Sequence, residues 1–256
     1  MSYTIGEHNA ERQQLLAQCL NPLTRPVLDR IPPASIHRIL DLGCGQGNTT
    51  RLLADHFPHA SALGLEYDPA LVAHACLHSA EPSRILFEQG DAQCLPYPDA
   101  SFDLTFARYL LLHLPDPRAA IREMLRVTRP GGFVIAFEPD CCVDFSYPPN
   151  PSLERMTYLW NKLFPNPLIG RQLIHLFRSA GAGCLSAGAA MGMDHETGIY
   201  QRLYRISAEA VGPAIAAKGL MTSDEYGTLI AGLRQLEADT LSTCFKFPDI
   251  WVIASV

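Results

Sequence analysis

Three alternate glycines, Gly43, Gly45 and Gly47, stand in the run Ile39-Leu40-Asp41-Leu42-Gly43-Cys44-Gly45-Gln46-Gly47-Asn48, where a short apolar strand ending in an acid leads straight into a helix. Glycine accepts positive φ and lets the backbone press against a ligand, while the free N–H groups that open the next helix face the same point. That arrangement suits an adenosine-bearing cofactor. A dinucleotide fingerprint, G-x-G-x-x-G, would need its third glycine at position 48, which is Asn48. About twenty residues further on, the usual place for a ribose-binding acid, Ala62-Leu63-Gly64-Leu65-Glu66 reads as a second strand ending in Glu66. A carboxylate there can accept both hydroxyls of a ribose. A third strand, Ile85 to Asp91, ends in another acid, so three strands deliver polar ends to one rim.

Over about residues 36 to 140 the chain resembles the class I S-adenosylmethionine-dependent methyltransferases. Asp41 to Gly47 resembles the family's first motif, Glu66 its ribose-binding acid, and Gly90-Asp91-Ala92 the segment that holds the adenine. Phe102 to Ala107 is similar to the fourth strand, Pro117 to Val127 to the helix after it, and Thr128-Arg129-Pro130-Gly131-Gly132 to the turn into a fifth strand. The resemblance implies S-adenosylmethionine as cofactor, contacted by Asp41, Gly43, Gly45, Gly47, Asn48, Glu66, Tyr67, Asp91, Ala92 and Arg108. It also implies N-terminal helices folded over the cofactor, which would put Tyr3 and His8 at its mouth.

The elements that must position these groups are read from period and punctuation. The expected fold is α/β, a doubly wound and mostly parallel seven-stranded sheet whose last strand, Ile250 to Ala254, runs antiparallel because no crossover helix precedes it. Residues 1–256 are expected to form a single domain, with N-terminal lid helices in 1–30, a cofactor-binding core in 36–140 and cap insertions at 141–169 and 192–247. Within the lid, Glu7 to Leu20 reads as a helix broken by Asn21-Pro22, with a second from Leu23 to Arg30. Both insertions leave from carboxyl ends of parallel strands, the edge where open α/β sheets bind ligands. A roof of Tyr158, Trp160, Phe164, Tyr200, Tyr204 and Phe245 suggests a largely apolar acceptor of modest size, although such aromatics also pack a cap onto a sheet.

Methyl transfer from a sulfonium is an in-line displacement in which positioning and desolvation supply most of the rate, because the leaving thioether needs no proton. If the acceptor is a hydroxyl, a base helps. His113, just past the fourth strand, is the first catalytic candidate, with a structural histidine bonding a loop carbonyl as the other reading. His8, Glu138, Trp160 and Tyr204 are the substrate-facing candidates. A small-molecule methyltransferase acting on oxygen, with nitrogen and carbon acceptors open, is therefore expected. The runner-up is a cofactor-binding protein of the same fold that transfers no methyl, such as a cyclase or regulatory module.

Composition narrows the partners. A formal charge of −6 and a pI near 5.8 offer no basic surface for counterion release from a nucleic acid, and no Lys/Arg-rich run occurs. The first fourteen residues carry no signal-peptide core and no stretch approaches the roughly eighteen apolar residues of a membrane span, so a cytoplasmic protein is expected. Eight cysteines at irregular spacing read as reduced thiols. His74, Cys76 and His78 share a helix face, but no further ligand completes the set, and no metal site is expected.

Overall fold

The computed structural model describes residues 9–79, 81 and 83–256. The candidates Tyr3 and His8 lie outside the described residues. Along the chain run β1 (Arg38–Leu42), β2 (Ser61–Glu66), β3 (Ile85–Gln89), β4 (Phe102–Arg108), β5 (Thr128–Pro139), β6 (Phe145–Tyr147), β7 (Cys184–Ala190), β8 (Met193–Asp194), β9 (Thr243–Phe245) and β10 (Asp249–Ser255). Seven of them form one sheet in the order β3-β2-β1-β4-β5-β10-β7. Strands β3, β2, β1, β4 and β5 are parallel, while β10 runs antiparallel to both β5 and β7. The fold class is the one expected. β4 is buried at every position, as a strand covered on both faces must be.

The helices are α1 (Ala10–Leu28), α2 (Asn48–His56), α3 (Pro69–Leu77), α4 (Pro117–Val127), α5 (Pro151–Leu163), α6 (Leu173–Ser179), α7 (Ile199–Ala217) and α8 (Ser223–Ala238). On one face of the sheet, Leu28, Leu53 and Ala75 from α1, α2 and α3 pack on Ile39, Leu104 and Phe106. On the other, Ile121 and Met124 of α4 and Phe177 of α6 pack on Leu40, Val134 and Val252. The side-chain alternation of the strands thus feeds two cores. A third core belongs to the cap, where α5, α7 and α8 meet through Leu159, Leu203 and Leu233. Leu15 and Cys19 of α1 join this cap core while Leu20, Val27 and Leu28 join the sheet, so α1 straps the two together.

Helix α1 departs from the sequence reading, because it continues through Asn21-Pro22 and also through Pro26. A proline inside a helix removes one backbone bond and crowds the preceding turn. Tertiary contacts hold the helix across both prolines: Arg108 of β4 donates to Asn21 Oδ1 at 3.0 Å and to Thr24 Oγ1 at 3.1 Å, and Thr24 in turn donates to the Leu20 carbonyl. The small sheet β6-β9-β8 is a second departure. It ties the two insertions to each other, with Phe145 stacked on Phe245 at 4.6 Å.

The chain leaves β1 toward β2 on one side, and β4 lies on the other, so a crevice opens beyond the carboxyl ends of β1 and β4. The cap lies over that edge.

Candidate functional site

The loop after β1 takes its shape from its glycines and from one acid. Gly43, Gly45 and Gly47 all have positive φ, at 67°, 55° and 82°. A Cβ on Gly47 would stand 2.6 Å from the Phe87 ring, and one on Gly43 2.7 Å from Leu110, whereas one on Gly45 would meet nothing within 4 Å. Gly45 therefore forms the open part of the cradle. Its N–H donates to Glu66 Oε2 at 2.9 Å, while Glu66 Oε1 accepts the amides of Tyr67 and Asp68. Beneath the loop, buried Asp41 accepts the Thr50 hydroxyl at 2.7 Å and fastens the start of α2 to the end of β1. Burial pushes Asp41 up to about 7, with Thr50 and the charge of Arg108 pulling the other way.

One cavity runs from this cradle to the cap, walled by α1, by the segment after β4 and by α5 and α7. Arg108, Tyr109 and His113 enter it from the β4 side, Arg12 from α1, Trp160 and Phe164 from α5 and its end, and Tyr204 and Ser207 from α7. Tyr109 has φ of 58°, in the left-handed region that non-glycine residues seldom adopt. Two bonds of its own keep it there: its amide donates to the Phe137 carbonyl and its hydroxyl donates to Asp249 Oδ1 at 2.5 Å, while Lys246 Nζ in turn bonds both oxygens of that carboxylate at 2.8 Å. Asp249 is fully buried and Lys246 nearly so, which makes this a desolvated, charge-matched pair.

Of the residues singled out from sequence, Gly43, Gly45, Asn48, Glu66, Arg108, His113, Trp160 and Tyr204 line the cavity. Gly47 and Asp41 shape the loop from behind. Tyr67 is exposed, and Asp91 caps its own turn by accepting the Gln93 amide, with Ala92 buried among apolar neighbours of the sheet; none of the three reaches the cavity wall. Glu138 is a correction to the sequence reading. It is fully buried and accepts the amides of Leu110, Leu111 and Leu112, so it fastens the segment after β4 and does not line the cavity. Burial pushes Glu138 up to about 8 even though those three donors favour its charged form.

His113 lines the cavity, edge-on to Phe164 at 5.1 Å. Desolvation, with a smaller push from the Arg12 charge, lowers its pKa to about 4. A base that weak is neutral at pH 7 and accepts a proton poorly. Burial holds the Cys44 and Cys141 thiols well up, so neither supplies a thiolate. Among the roof aromatics, Tyr158 is exposed beneath Arg155, Phe245 stacks in the small sheet, and Tyr200 is buried in the cap core.

Sequence reasoning missed Arg12, Tyr109, Ser207 and the Lys246–Asp249 pair. Arg12 Nε reaches Ser207 Oγ at 3.2 Å across 195 positions, and Tyr109 reaches Asp249 across 140. No local pattern announces such pairs. Among the described residues no group of three histidines, cysteines or acids gathers to hold a metal, and no helix is long and apolar enough to cross a membrane.

Comparison with known proteins adds a lineage to this geometry. A family model described as a methyltransferase domain matches residues 40–136. A trans-aconitate 2-methyltransferase of Methylobacterium radiotolerans is 30% identical over 204 residues, covering 77% of this chain and 75% of its own. Its counterpart from Methylobacterium nodulans is 38% identical over 120 residues, 46% of this chain and 45% of its own. With several other curated relatives the match likewise spans about half of the relative's length. Among solved structures, the [4+2]-cyclase SpnF superposes with a TM-score of 0.58 at 24% identity, covering 93% of this chain and 81% of that one. A Haemonchus contortus phosphoethanolamine N-methyltransferase bound to phosphomonomethylethanolamine and S-adenosylhomocysteine gives 0.62 at 17%, covering all of this chain and 60% of that one. These two structures speak for the fold alone. The long relative from Methylobacterium radiotolerans, the matched domain and the glycine cradle at the β1–β4 crevice agree: the chain belongs to the class I S-adenosylmethionine-dependent methyltransferases.

Proposed function

We propose that this methyltransferase binds S-adenosylmethionine against the β1 loop and transfers its methyl group to a small, largely apolar molecule held under the cap, with oxygen as the favoured acceptor atom. One observation carries the reading: a continuous cavity links the Gly45 and Glu66 cradle to the apolar wall of Trp160 and Phe164. The residues fit an adenosine cofactor. Open space at Gly45 leaves room beside the backbone, and Glu66 keeps lone pairs for ribose hydroxyls after accepting its three amides. Arg108, on the same wall, is suited to the cofactor's carboxylate end.

When bound, the cofactor supplies an electrophilic methyl carbon on a sulfonium. The chain's own part is to orient and to exclude water. α1 closes one side through Leu16 and Leu20, α5 and α7 the other, and the buried Tyr109–Asp249–Lys246 set fixes the floor between them. A protein of this fold that transfers no methyl is the competing reading, and turnover separates the two. Incubation with methyl-labelled S-adenosylmethionine and a mixed small-molecule extract should release S-adenosylhomocysteine together with a labelled product. Cofactor binding without any methyl transfer would favour the competing reading.

A further inference from the structure

Two hydrogen-bond donors on the cap side of the cavity have no acceptor. Trp160 of α5 is 5% exposed and lines the cavity, and its indole N–H is buried without a hydrogen-bond partner among the described residues. Ser207 of α7 is 3% exposed and lines the same cavity. Its oxygen accepts from Arg12 Nε at 3.2 Å, and among the described residues its own proton meets no acceptor. A buried donor left unpaired is uncommon and costs free energy, so two on one wall call for a physical reason.

The cap is otherwise able to satisfy its donors. Tyr204, one turn before Ser207, donates its hydroxyl to Asp144, and Thr157 of α5 donates to the same acid at 3.1 Å. Asn161, next to Trp160, donates to the Cys141 carbonyl at 2.7 Å. Besides the Trp160 nitrogen, the one buried side-chain atom of α5, α7 and α8 with no partner among the described residues is Gln201 Oε1, which is an acceptor and lies off the cavity wall. The unmatched donors therefore belong to residues that line the cavity. The surface beside them is aromatic: Trp160 and Phe164 stack at 5.5 Å with 17° between their planes, and Phe164 meets His113 edge-on. A flat apolar body fits against such rings. A hydroxyl or ammonium on that body would bring a further donor, whereas a carbonyl oxygen brings two lone pairs and no proton.

We propose that the acceptor molecule carries a carbonyl oxygen, of a ketone, ester or amide, in addition to the atom that is methylated, and that Trp160 and Ser207 hold this oxygen and select for it. This rests on the methyl-transfer reading given above. The carbonyl is an anchor and not the nucleophile, because its lone pairs are engaged by donors on the cap helices while the methyl group arrives from the cradle end of the cavity. No bond to the anchor oxygen forms or breaks in the reaction. A molecule without it leaves both donors buried and unpaired, and a site built in this way rejects the analogue that lacks the partner group.

The experiment uses the full chain loaded with S-adenosylhomocysteine and three pairs of phenols that differ only in one carbonyl: 4-hydroxyacetophenone with 4-ethylphenol, 4-hydroxybenzophenone with 4-benzylphenol, and 6-hydroxytetralone with 6-hydroxytetralin. Calorimetry gives the affinity ratio within each pair. The ketones should bind at least about tenfold more tightly, and in Trp160→Phe and in Ser207→Ala the ratio should shrink to about threefold or less. Comparing the ratio between native chain and variant cancels any general loss of affinity, and also the greater acidity of the ketone phenols. A nitrogen-15 spectrum supplies a second signature, because the chain has two tryptophans and Trp160→Phe identifies the Trp160 indole resonance by its loss. That proton should move downfield with the ketones and stay in place with their methylene partners. Equal binding within every pair, a ratio undiminished in either variant, or a loaded chain that takes up none of the ketones would overturn the anchor and leave the methyltransferase reading standing. Failure to bind S-adenosylhomocysteine would instead overturn the reading on which the anchor rests. If Trp160→Phe melts well below the native chain, the native indole resonance and Ser207→Ala carry the test, and an unmoved resonance or an undiminished ratio overturns the proposal.

Discussion

Glu66 accepts the amide proton of Gly45 at 2.9 Å, so the acid at the end of β2 holds open the glycine loop at the end of β1. The same carboxylate is the proposed ribose acceptor, which gives it two duties. Glu66→Ala removes the ribose acceptor and frees three loop amides together. Affinity for S-adenosylhomocysteine should fall by about 1.5–3 kcal/mol, the range for hydrogen bonds to a charged group, or roughly 10- to 150-fold. Calorimetry reads this directly, and an unchanged dissociation constant in a folded variant would remove Glu66 from the cofactor site.

Gly45 and Gly47 should respond differently to the same change. Gly47→Ala combines a left-handed backbone, costing about 1–2 kcal/mol, with a clash against Phe87 that adds about 1–3 kcal/mol, so urea unfolding should show a large loss of stability. Gly45→Ala incurs only the backbone cost, because its methyl group would meet open space. That methyl would occupy the cradle. The expected result is a nearly stable variant with at least tenfold weaker cofactor binding, and normal binding by Gly45→Ala would place the cofactor elsewhere.

Much of the sheet was legible because its signals are local. β4 is mostly apolar, with Phe102, Leu104, Phe106 and Ala107 interrupted by Asp103 and Thr105, β2 ends in Glu66, and the glycine spacing shows a tight turn. The cap was legible only as two insertions leaving the carboxyl edge of the sheet; the fold adds that Asn150 and Thr222 cap the starts of α5 and α8. The strands β6, β8 and β9 are two or three residues long, too short to show an alternation. Glu138 was misread because its acid sits at the expected edge, and only the folded chain shows three amides of the next segment wrapped around it. The continuity of α1 was hidden for a similar reason. Pro22 and Pro26 are local signals against a helix, and the guanidinium that outweighs them lies more than eighty positions away.

That guanidinium makes α1 testable as a lid. Arg108→Met keeps much of the buried volume and removes the bonds to Asn21 and Thr24. Hydrogen exchange over residues 10–28 should quicken in the variant while β1 and β5 stay protected. Adding cofactor to the native chain should slow exchange over the same residues, because α1 lines the cavity. If α1 exchanges as slowly in the variant as in the native chain, the clamp contributes nothing to closing the site.

His113 gives a prediction in pH. Its pKa falls from 6.5 in an open setting to about 4 in the fold, so between those values the unfolded chain holds a proton that the folded chain does not. Stability from this group is fully present above pH 6.5 and is lost as pH falls toward 4. At about 1.4 kcal/mol per pH unit, the effect is of order 3 kcal/mol. Glu138, raised to about 8, works in the opposite direction, since its stabilising proton leaves as pH rises through its folded pKa. The clean quantity is therefore the difference between the native chain and His113→Asn, by urea unfolding at pH 4.5, 5.5, 6.5 and 7.5, values chosen at roughly unit steps across the titration window. The native chain should lose more stability than the variant between pH 6.5 and 4.5. The same variant tests catalysis: with the imidazole neutral across the working range, turnover should show no ascending limb near pH 6.5 and should fall less than about 10²-fold, below the usual loss for removing a general base. An ascending limb near 6.5 that disappears in His113→Asn, with a loss of about 10²-fold or more, would make His113 the base and the acceptor a group that must give up a proton.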